Sequence, residues 1–312
     1  HKMISEINSI DEYETVYDVI KDRFGTVSEE IDIYMKQELK ESILEQLSRM
    51  NGQVGFYYKN LISGETLTYH ENEQFRAASV VKLPLLAGMM LMREQGRTSF
   101  DELITVHPDQ MHPDTSGVLP FMTGDKNGDV TLDINTLYKF MIVISDTTAT
   151  NALYHHYGND TVIAVLRELG LKGTQFNREY YDDVRESQGI QNYFVPAELG
   201  ELLEKMFRRT LVSAKASEEM EDILLYQQIN HKMGGCLPVG YPIAHKTGEE
   251  EDKTHDVGIV YTREPFVACF ASYQSDIPTY EDFIRKTTLA LALDIDPELK
   301  IYPPMADRFK LL

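Results

Sequence analysis

The stretch FRAASVVKLPLLAGMM, residues 75–90, places a serine and a lysine at the start of a long apolar run. Two alanines precede Ser79, and Lys82 follows three residues later. Residues three apart on a helix share a face, so the Lys82 amine can reach the Ser79 hydroxyl. A serine at a helix start also lies near backbone amides that favour developing negative charge. The stretch predicts either a nucleophile with its base one turn away, or a capping serine followed by a lysine with a buried stem.

Two later motifs supply side chains that could complete such a site. Ser145 in ISDTTATNAL follows the apolar helical pattern LYKFMIVI, and Lys246 in YPIAHKTGEE ends a predicted strand. A second serine beside a nucleophile can relay a proton to a leaving nitrogen. Lys246 and Thr247 on an edge strand can hold a substrate carboxylate, and Gly248 leaves room for a substrate to lie against that strand.

The composition is that of a globular protein with an acidic surface. The chain has 312 residues, of which 42% are apolar and 26% charged, and its formal charge is -20. Such a charge repels phosphate backbones and anionic lipid surfaces, so nucleic-acid and membrane-surface partners are not expected. A small-molecule substrate and a monomer are the expectation instead, without a metal ion or an organic cofactor.

The two cysteines and the chain start bear on the cellular compartment. Two cysteines in a chain of this length do not form a disulfide framework, and we expect Cys236 and Cys269 to be separate, buried and free. No apolar run reaches the ~18 residues of a membrane-spanning helix. The start HKMISE is typical of a vector remnant before an internal methionine, so a natural leader could be missing from this chain.

Hydrophobic periodicity predicts strands near both ends of the chain and helices between them. A helix is predicted from Ser28 to Met50, and a short one around 12–24. The segments QVGFYYKN and ETLTYHE predict a hairpin, and PIAHKTG, DVGIVYT and FVACFASYQ predict three later strands. Helical patterns dominate the chain from Ser79 to about Tyr226, and a last amphipathic helix is predicted from Tyr280 to Leu293.

This order predicts an α/β (α+β) fold in two lobes. One antiparallel five-stranded sheet, built from both chain ends and flanked by terminal helices, would occupy residues 28–75 and 227–312. An inserted all-helical lobe, residues 76–226, would carry Ser79 and Ser145. Residues 1–27 form an acidic N-terminal extension. A cleft between two such lobes is where an active site is expected.

The three motifs S-x-x-K, S-D-x and K-T-G, in this order, resemble those of class A β-lactamases and the related penicillin-binding proteins. The resemblance extends over roughly residues 35–300. The family's first hairpin, together with the segment that leads from it to the nucleophile, is similar to the stretch VGFYYKNLISGETLTYHENEQFRAASVVK. LPVGYPIAHKTG is similar to its approach to the third motif, and NYFVPAELGELL to the segment after its Ω-loop.

The resemblance implies a role for each matching residue. Ser79 would be the acylated nucleophile, Lys82 a proton acceptor and Ser145 the proton shuttle to the leaving nitrogen. Lys246 and Thr247 would bind the substrate carboxylate. The backbone amides of Ser79 and Glu249 would form the oxyanion hole, and Gly248 would lie against the substrate.

Two motifs depart from the family pattern. The second motif ends in Thr147, where the family has an asparagine that holds the substrate amide, so recognition of the substrate side chain would differ. The Ω-loop reads NREYYDDVRESQGIQN rather than Arg-x-Glu-x-x-x-Asn. Alignment on Arg178 puts Tyr180 at the position of the water-activating glutamate and Asp182 two residues later. A shift by one residue offers Glu179 instead, so Asp182 and Glu179 are both candidate deacylation bases.

The strand after the third motif is unusually acidic, and His255 falls where the family often has a carboxylate-binding arginine. His255 could bind carboxylate only when protonated, or it could pair with Asp256. The resemblance thus implies a serine hydrolase that opens β-lactams through an acyl-enzyme. The alternatives are a D-Ala-D-Ala-type peptidase or esterase acting on peptidoglycan-type peptides, or a penicillin-binding sensor that is acylated once. These substrates imply a secreted, periplasmic or surface-anchored protein.

Overall fold

The computed structural model describes residues 35–299. The predicted extension 1–27, with its short helix, and the beginning of the helix predicted from Ser28 lie outside the described residues. The helices are α1 (Gln37–Ser48), α2 (Lys82–Glu94), α3 (Ile134–Val143), α4 (Thr147–Tyr157), α5 (Asn159–Glu168), α6 (Asp183–Ser187), α7 (Pro196–Phe207), α8 (Ala214–Leu225) and α9 (Ile277–Ile295).

The main sheet joins strands from both ends of the described chain. Its five strands are β1 (Gln53–Asn60), β2 (Thr66–Tyr69), β7 (Ile243–Glu250), β8 (Lys253–Val260) and β9 (Phe266–Tyr273). They are antiparallel neighbours in the order β2-β1-β9-β8-β7. The predicted antiparallel five-stranded sheet with helices inserted between its two halves is confirmed.

Apolar side chains cover both faces of this sheet. In β1, Phe56 and Tyr58 are buried in a cluster that also contains Ile43 of α1 and Ile284 of α9. Tyr57, between them, belongs to the other cluster, which is built mainly from the inserted helices. Neighbouring residues of a strand point to opposite faces, so one strand supplies both cores. The terminal helices therefore flank one face, as predicted, while the exact lobe boundaries stay a prediction.

Two small sheets were not predicted from the sequence. β3 (Phe75–Arg76) pairs with β6 (Tyr193–Phe194), and β4 (Leu103–Val106) pairs with β5 (Val130–Asp133). The first pair ties the residues just before Ser79 to the end of the Ω-loop segment. The two strands of this first pair have two residues each and carry no detectable alternation, which is why the sequence pattern does not reveal them.

The helix α2 is buried on nearly all sides, including its first residue Lys82. A helix that is apolar all round packs inside a protein, which explains the long uncharged run after Ser79. Both cysteines are free, as expected: Cys269 is buried, whereas Cys236 is only partly buried. Among the described helices, none combines the length and apolar character needed to cross a membrane.

The contact between α7 and the sheet depends on Gly200. A Cβ atom at this position would lie 2.3 Å from a ring carbon of Tyr57. We expect Gly200→Ala to destabilise the fold by about 1–3 kcal/mol, because the ring must move within a packed core. The exposed neighbour Glu201 is the control, and Glu201→Ala should change stability by less than about 0.5 kcal/mol. Thermal unfolding of both variants measures the difference, and equal melting temperatures would contradict this packing.

Candidate active site

Ser79 lies in a short 3₁₀ turn, Ala78–Val81, that runs directly into α2. The backbone of Ala78 has a φ of 41°, a left-handed value that non-glycine residues rarely adopt. Hydrogen bonds hold this conformation from both sides. The Tyr180 hydroxyl donates to the Ala78 carbonyl at 2.7 Å, and the Ala77 amide donates to the Asn192 carbonyl at 2.9 Å. The candidate nucleophile is therefore presented by a strained but fixed backbone.

The Ser145 hydroxyl lies between two buried lysine amines. Lys82 Nζ is 3.1 Å from Ser145 Oγ and 2.7 Å from the Ser145 carbonyl oxygen. Lys246 Nζ is 3.0 Å from the same Oγ and also donates to the Thr247 carbonyl at 2.8 Å. The structure thus brings together side chains from all three motifs, and a proton can pass between Ser145 and either amine.

Burial shifts the protonation equilibria of both lysines. It lowers the pKa of Lys82 to about 7, although the charges of Asp146 and Glu250 oppose the shift. Burial also lowers the pKa of Lys246 well below its ordinary value, and the nearby charges of Lys82 and Lys232 lower it further. An amine with a pKa near neutrality can accept a proton at physiological pH, which ordinary lysines cannot do.

Asp146 fixes the second motif. Its carboxylate caps α4 through the Ala149 amide at 2.8 Å, and its other oxygen accepts the amides of Val118 and Leu119 at 2.7 and 2.8 Å. Ser145, just before it, has a left-handed φ of 58°. The three hydrogen bonds of a fully buried carboxylate hold this unfavourable backbone, so that the Ser145 side chain faces the lysines.

The edge strand β7 approaches the Ser79 turn closely at Gly248. A Cβ atom there would lie 3.0 Å from the Ser79 amide nitrogen and 3.1 Å from that of Val80. The glycine of the third motif therefore lets the strand lie against the nucleophile turn itself. Lys246 and Gly248 share one face of the strand, which is the face towards Ser79. Thr247 is buried as well.

A third buried lysine, Lys232, lies on the opposite side of the same strand. Its Nζ donates to the carbonyls of Gly248 and His255 at 3.1 Å each and pairs with the Glu249 carboxylate at 2.9 Å. His231 also pairs with Glu249 at 2.9 Å, and these contacts lower the pKa of Glu249 to about 2. The Glu249 side chain is therefore engaged away from Ser79.

Among the described residues, ligand atoms of His231, Glu249 and Glu281 lie within 4.8 Å of one another, which could suit a metal ion. The positive charge of Lys232 already sits on the Glu249 carboxylate, and Arg285 lies 3.7 Å from Glu281. These cations compensate the acidic groups and compete with a metal ion, so the cluster is better described as an ion-pair network.

Of the two roles considered for His255, pairing with Asp256 is wrong. Asp256 accepts a hydrogen bond from His245 at 2.8 Å, because these side chains point to the other face of the sheet. His255 Nε2 donates to the Arg76 carbonyl at 2.8 Å, and its Nδ1 accepts the Ser272 amide at 3.2 Å. Complete burial lowers the pKa of His255 to about 3, and with both nitrogens engaged it offers no free donor to a substrate carboxylate.

The Ω-loop presents Tyr180 to Ser79. The Asn151 side chain of α4 binds both the amide and the carbonyl of Tyr180, at 2.9 and 2.8 Å. The Tyr180 ring lies 4.9 Å from Lys82 Nζ. Burial raises the pKa of the Tyr180 phenol, with the charge of Glu250 adding to the shift, although a hydrogen bond with Ser79 opposes it. Tyr180 is thus a neutral hydroxyl at the nucleophile.

Comparison with known proteins identifies the family of the chain. The model of the beta-lactamase enzyme family matches residues 35–293. The chain belongs to this family. A beta-lactamase of Bacteroides uniformis is 25% identical over 68% of this chain and 77% of that protein. The resemblance inferred from the three motifs is therefore confirmed.

Solved structures of the family share the fold. The structure of PBP-A has a TM-score of 0.73 and 27% identity, and covers 84% of this chain and 97% of that chain. A mutant of PBP-A was solved as an acyl-enzyme complex with penicillin G, with a TM-score of 0.70, 27% identity and coverage of 83% and 97%. A beta-lactamase from Sphaerobacter thermophilus DSM 20745, 24% identical, has a TM-score of 0.74 and covers 86% and 100%.

Three other expected site residues, Thr147, Asp182 and Glu179, form no hydrogen bond or ion pair with Lys82 or Lys246 within the described residues and lie in other local settings. Thr147 is buried as the first residue of α4. Asp182 caps α6 through the Arg185 amide at 3.0 Å, and its carboxylate also lies 3.6 Å from the Arg185 side chain. Glu179 pairs with His155 at 3.2 Å. Both candidate deacylation bases therefore have other partners in this structure.

Sequence reasoning missed the supporting residues Lys232 and Asn151 and gave no role to Asp146. The Asp146 cap could have been found, because aspartate before a helical pattern is a standard capping signal. Lys232 and Asn151 act through contacts distant in sequence, and a single sequence carries no signal for those.

Asp146 and Asp133 both cap helices, but they differ in the number of their hydrogen bonds and should therefore contribute differently to the free energy of unfolding. Asp133 caps α3 through Thr136 alone, at 2.7 Å. Asp146→Asn should destabilise the protein by about 2–4 kcal/mol, because the new amide group cannot accept the buried backbone donors. Asp133→Asn should cost less than about 0.5 kcal/mol, since asparagine caps helices nearly as well. Thermal unfolding measures both, and equal losses would contradict the special role of Asp146.

Proposed function

We propose that this protein cleaves the amide bond of β-lactams through an acyl-enzyme on Ser79. The observation that carries the proposal is the pair of buried amines, Lys82 and Lys246, on either side of the Ser145 hydroxyl. The family membership supports a hydrolase of the beta-lactamase type. The penicillin G adduct of the PBP-A mutant supports acylation on this fold, since PBP-A is 27% identical to the chain.

Acylation would begin with the transfer of the Ser79 proton to the neutral amine of Lys82. Ser79 Oγ then attacks the lactam carbonyl carbon, and the amides of Ser79 and Glu249 stabilise the resulting oxyanion. The carbon–nitrogen bond breaks as Ser145 gives its proton to the nitrogen, and Lys82 replaces that proton. Lys246 and Thr247 would bind the substrate carboxylate, whose negative charge also compensates the buried lysines.

Tyr180 supports a second candidate: a D-Ala-D-Ala-type peptidase or esterase, or a sensor, for which β-lactams are slowly released inhibitors. Deacylation requires a group that takes a proton from water, and a neutral phenol with a raised pKa does this poorly. Asp182 and Glu179 stay proposed bases, but each would first have to leave its present partner. Both candidates act on cell-wall peptides or incoming antibiotics, which favours an extracytoplasmic location.

Nitrocefin absorbance at stoichiometric and catalytic protein concentrations separates the two candidates. We expect Ser79→Ala to abolish both the absorbance change and any acyl adduct in intact-protein mass spectrometry, because no nucleophile remains. Sustained turnover by the wild-type chain would support a β-lactamase, and a burst of one equivalent would support the peptidase or sensor. An absorbance change that persists in Ser79→Ala would contradict the proposal.

The pH dependence of acylation tests the role of Lys82. Below its pKa of about 7, Lys82 is protonated and cannot accept the Ser79 proton. The acylation rate should therefore rise with pH through this value and level off above it, and Lys82→Ala should slow acylation by about 10²–10⁴-fold. Stopped-flow measurement of the nitrocefin burst gives the rate. A pH-independent rate would show that another group takes the proton.

A further inference from the structure

Glu250 is the last residue of β7 and lies on the strand face that carries Lys246 and Gly248. Side chains alternate along a strand, so residues at positions 246, 248 and 250 point the same way. Lys246 reaches Ser145 on this face, and Gly248 lies against the Ser79 amide. Glu250 is therefore on the same strand face as Lys246, two residues beyond Gly248, where the strand comes closest to Ser79.

Glu250 lines a small cleft, open to solvent, together with Ala78, Tyr180 and Arg178. Ala78 directly precedes Ser79, and the Tyr180 hydroxyl donates to its carbonyl. The electrostatic effect of Glu250 agrees with this position. Burial lowers the pKa of Lys82 and raises that of Tyr180, and in both cases the charge of Glu250 adds an upward contribution.

The other carboxylates considered for this role are each held by partners in this structure. Asp146 and Glu250 are the described carboxylates whose charges act on Lys82. Asp146 is fully buried and already accepts three backbone amides. Asp182 and Glu179 are engaged by Arg185 and His155. Within residues 35–299, Glu250 is thus the carboxylate that combines solvent access with proximity to the nucleophile turn.

One oxygen of Glu250 remains available for water. Lys253 Nζ donates to Oε2 at 2.5 Å across the β7–β8 turn, and it pairs with Asp252 at 2.6 Å as well. Oε1 accepts no hydrogen bond from the described residues. Lys253 is buried, with its Nζ 5.9 Å from the centroid of the Tyr273 ring, so it can hold one carboxylate oxygen of Glu250 in place.

We propose that Glu250 is the general base that activates water for hydrolysis of the Ser79 acyl-enzyme, a role that rests on the proposed acylation. The carboxylate takes a proton from water as the water oxygen attacks the ester carbonyl carbon. The tetrahedral intermediate then collapses, the bond between the acyl carbon and Ser79 Oγ breaks, and Oγ takes the proton back. The product leaves as a carboxylic acid, and neither an oxidant nor a metal ion is required.

The test measures deacylation separately from acylation. Wild type, Glu250→Gln and Glu251→Gln are acylated with benzylpenicillin, freed of excess ligand and followed by intact-protein mass spectrometry. Glu250→Gln should still become acylated on Ser79, but it should lose its acyl group about 10²-fold more slowly than wild type. Glu251→Gln is the matched control, because it removes the same charge from an exposed neighbouring residue and should behave like wild type.

A second variant separates base chemistry from structure. Glu250→Ala should also deacylate slowly, and added formate should restore part of the rate by supplying a carboxylate in the vacated space. A merely structural defect would not respond to formate. Unchanged deacylation in both Glu250 variants, or a wild-type acyl-enzyme that does not hydrolyse, would overturn the role of Glu250 while leaving acylation intact. Failure of wild type to be acylated at all would instead overturn the proposed function.

Discussion

Three lysine side chains without solvent exposure, Lys82, Lys232 and Lys246, surround the strand β7. Burying a positive charge is costly, and burying three near one another is costlier because they repel. The protein meets this constraint in two ways. Lys232 pairs with Glu249 and binds two carbonyls, whereas Lys82 and Lys246 have lowered pKa values. The amine chemistry proposed at Ser79 therefore follows from burial rather than from any unusual residue.

Close approach of backbone segments is the second requirement of the site. Gly248 lets β7 reach the Ser79 turn, and left-handed backbones at Ala78 and Ser145 shape the turns that carry the two serines. At the Ala78 turn, hydrogen bonds with Tyr180 and Asn192, which are distant in sequence, hold the strained backbone. The cost of the strain is met by the surrounding packing, so the geometry exists before any substrate binds.

The fold was largely predictable because its elements are long and periodic. The segment QVGFYYKN corresponds to the β1 strand, Gln53–Asn60, and the apolar run after Ser79 became α2. The strand pair β3–β6 escaped prediction because two residues show no periodicity. The motif residues were found through their family spacing. The orientation of His255 could not be predicted, because its two ring nitrogens form hydrogen bonds with Arg76 and Ser272, and neither contact is visible in the sequence.

The acidic run GEEED after the third motif shows how strand geometry assigns opposite roles to identical residues. On charge alone, these carboxylates should repel an anionic substrate. Alternation in β7 divides the first two: Glu249 turns to Lys232 and His231, where its charge is compensated, and Glu250 turns to the cleft beside Tyr180. Two adjacent glutamates thus serve two faces of one strand. Tyr180 on the Ω-loop side of the nucleophile is neutral, and the base that we propose for hydrolysis, Glu250, lies on the sheet side.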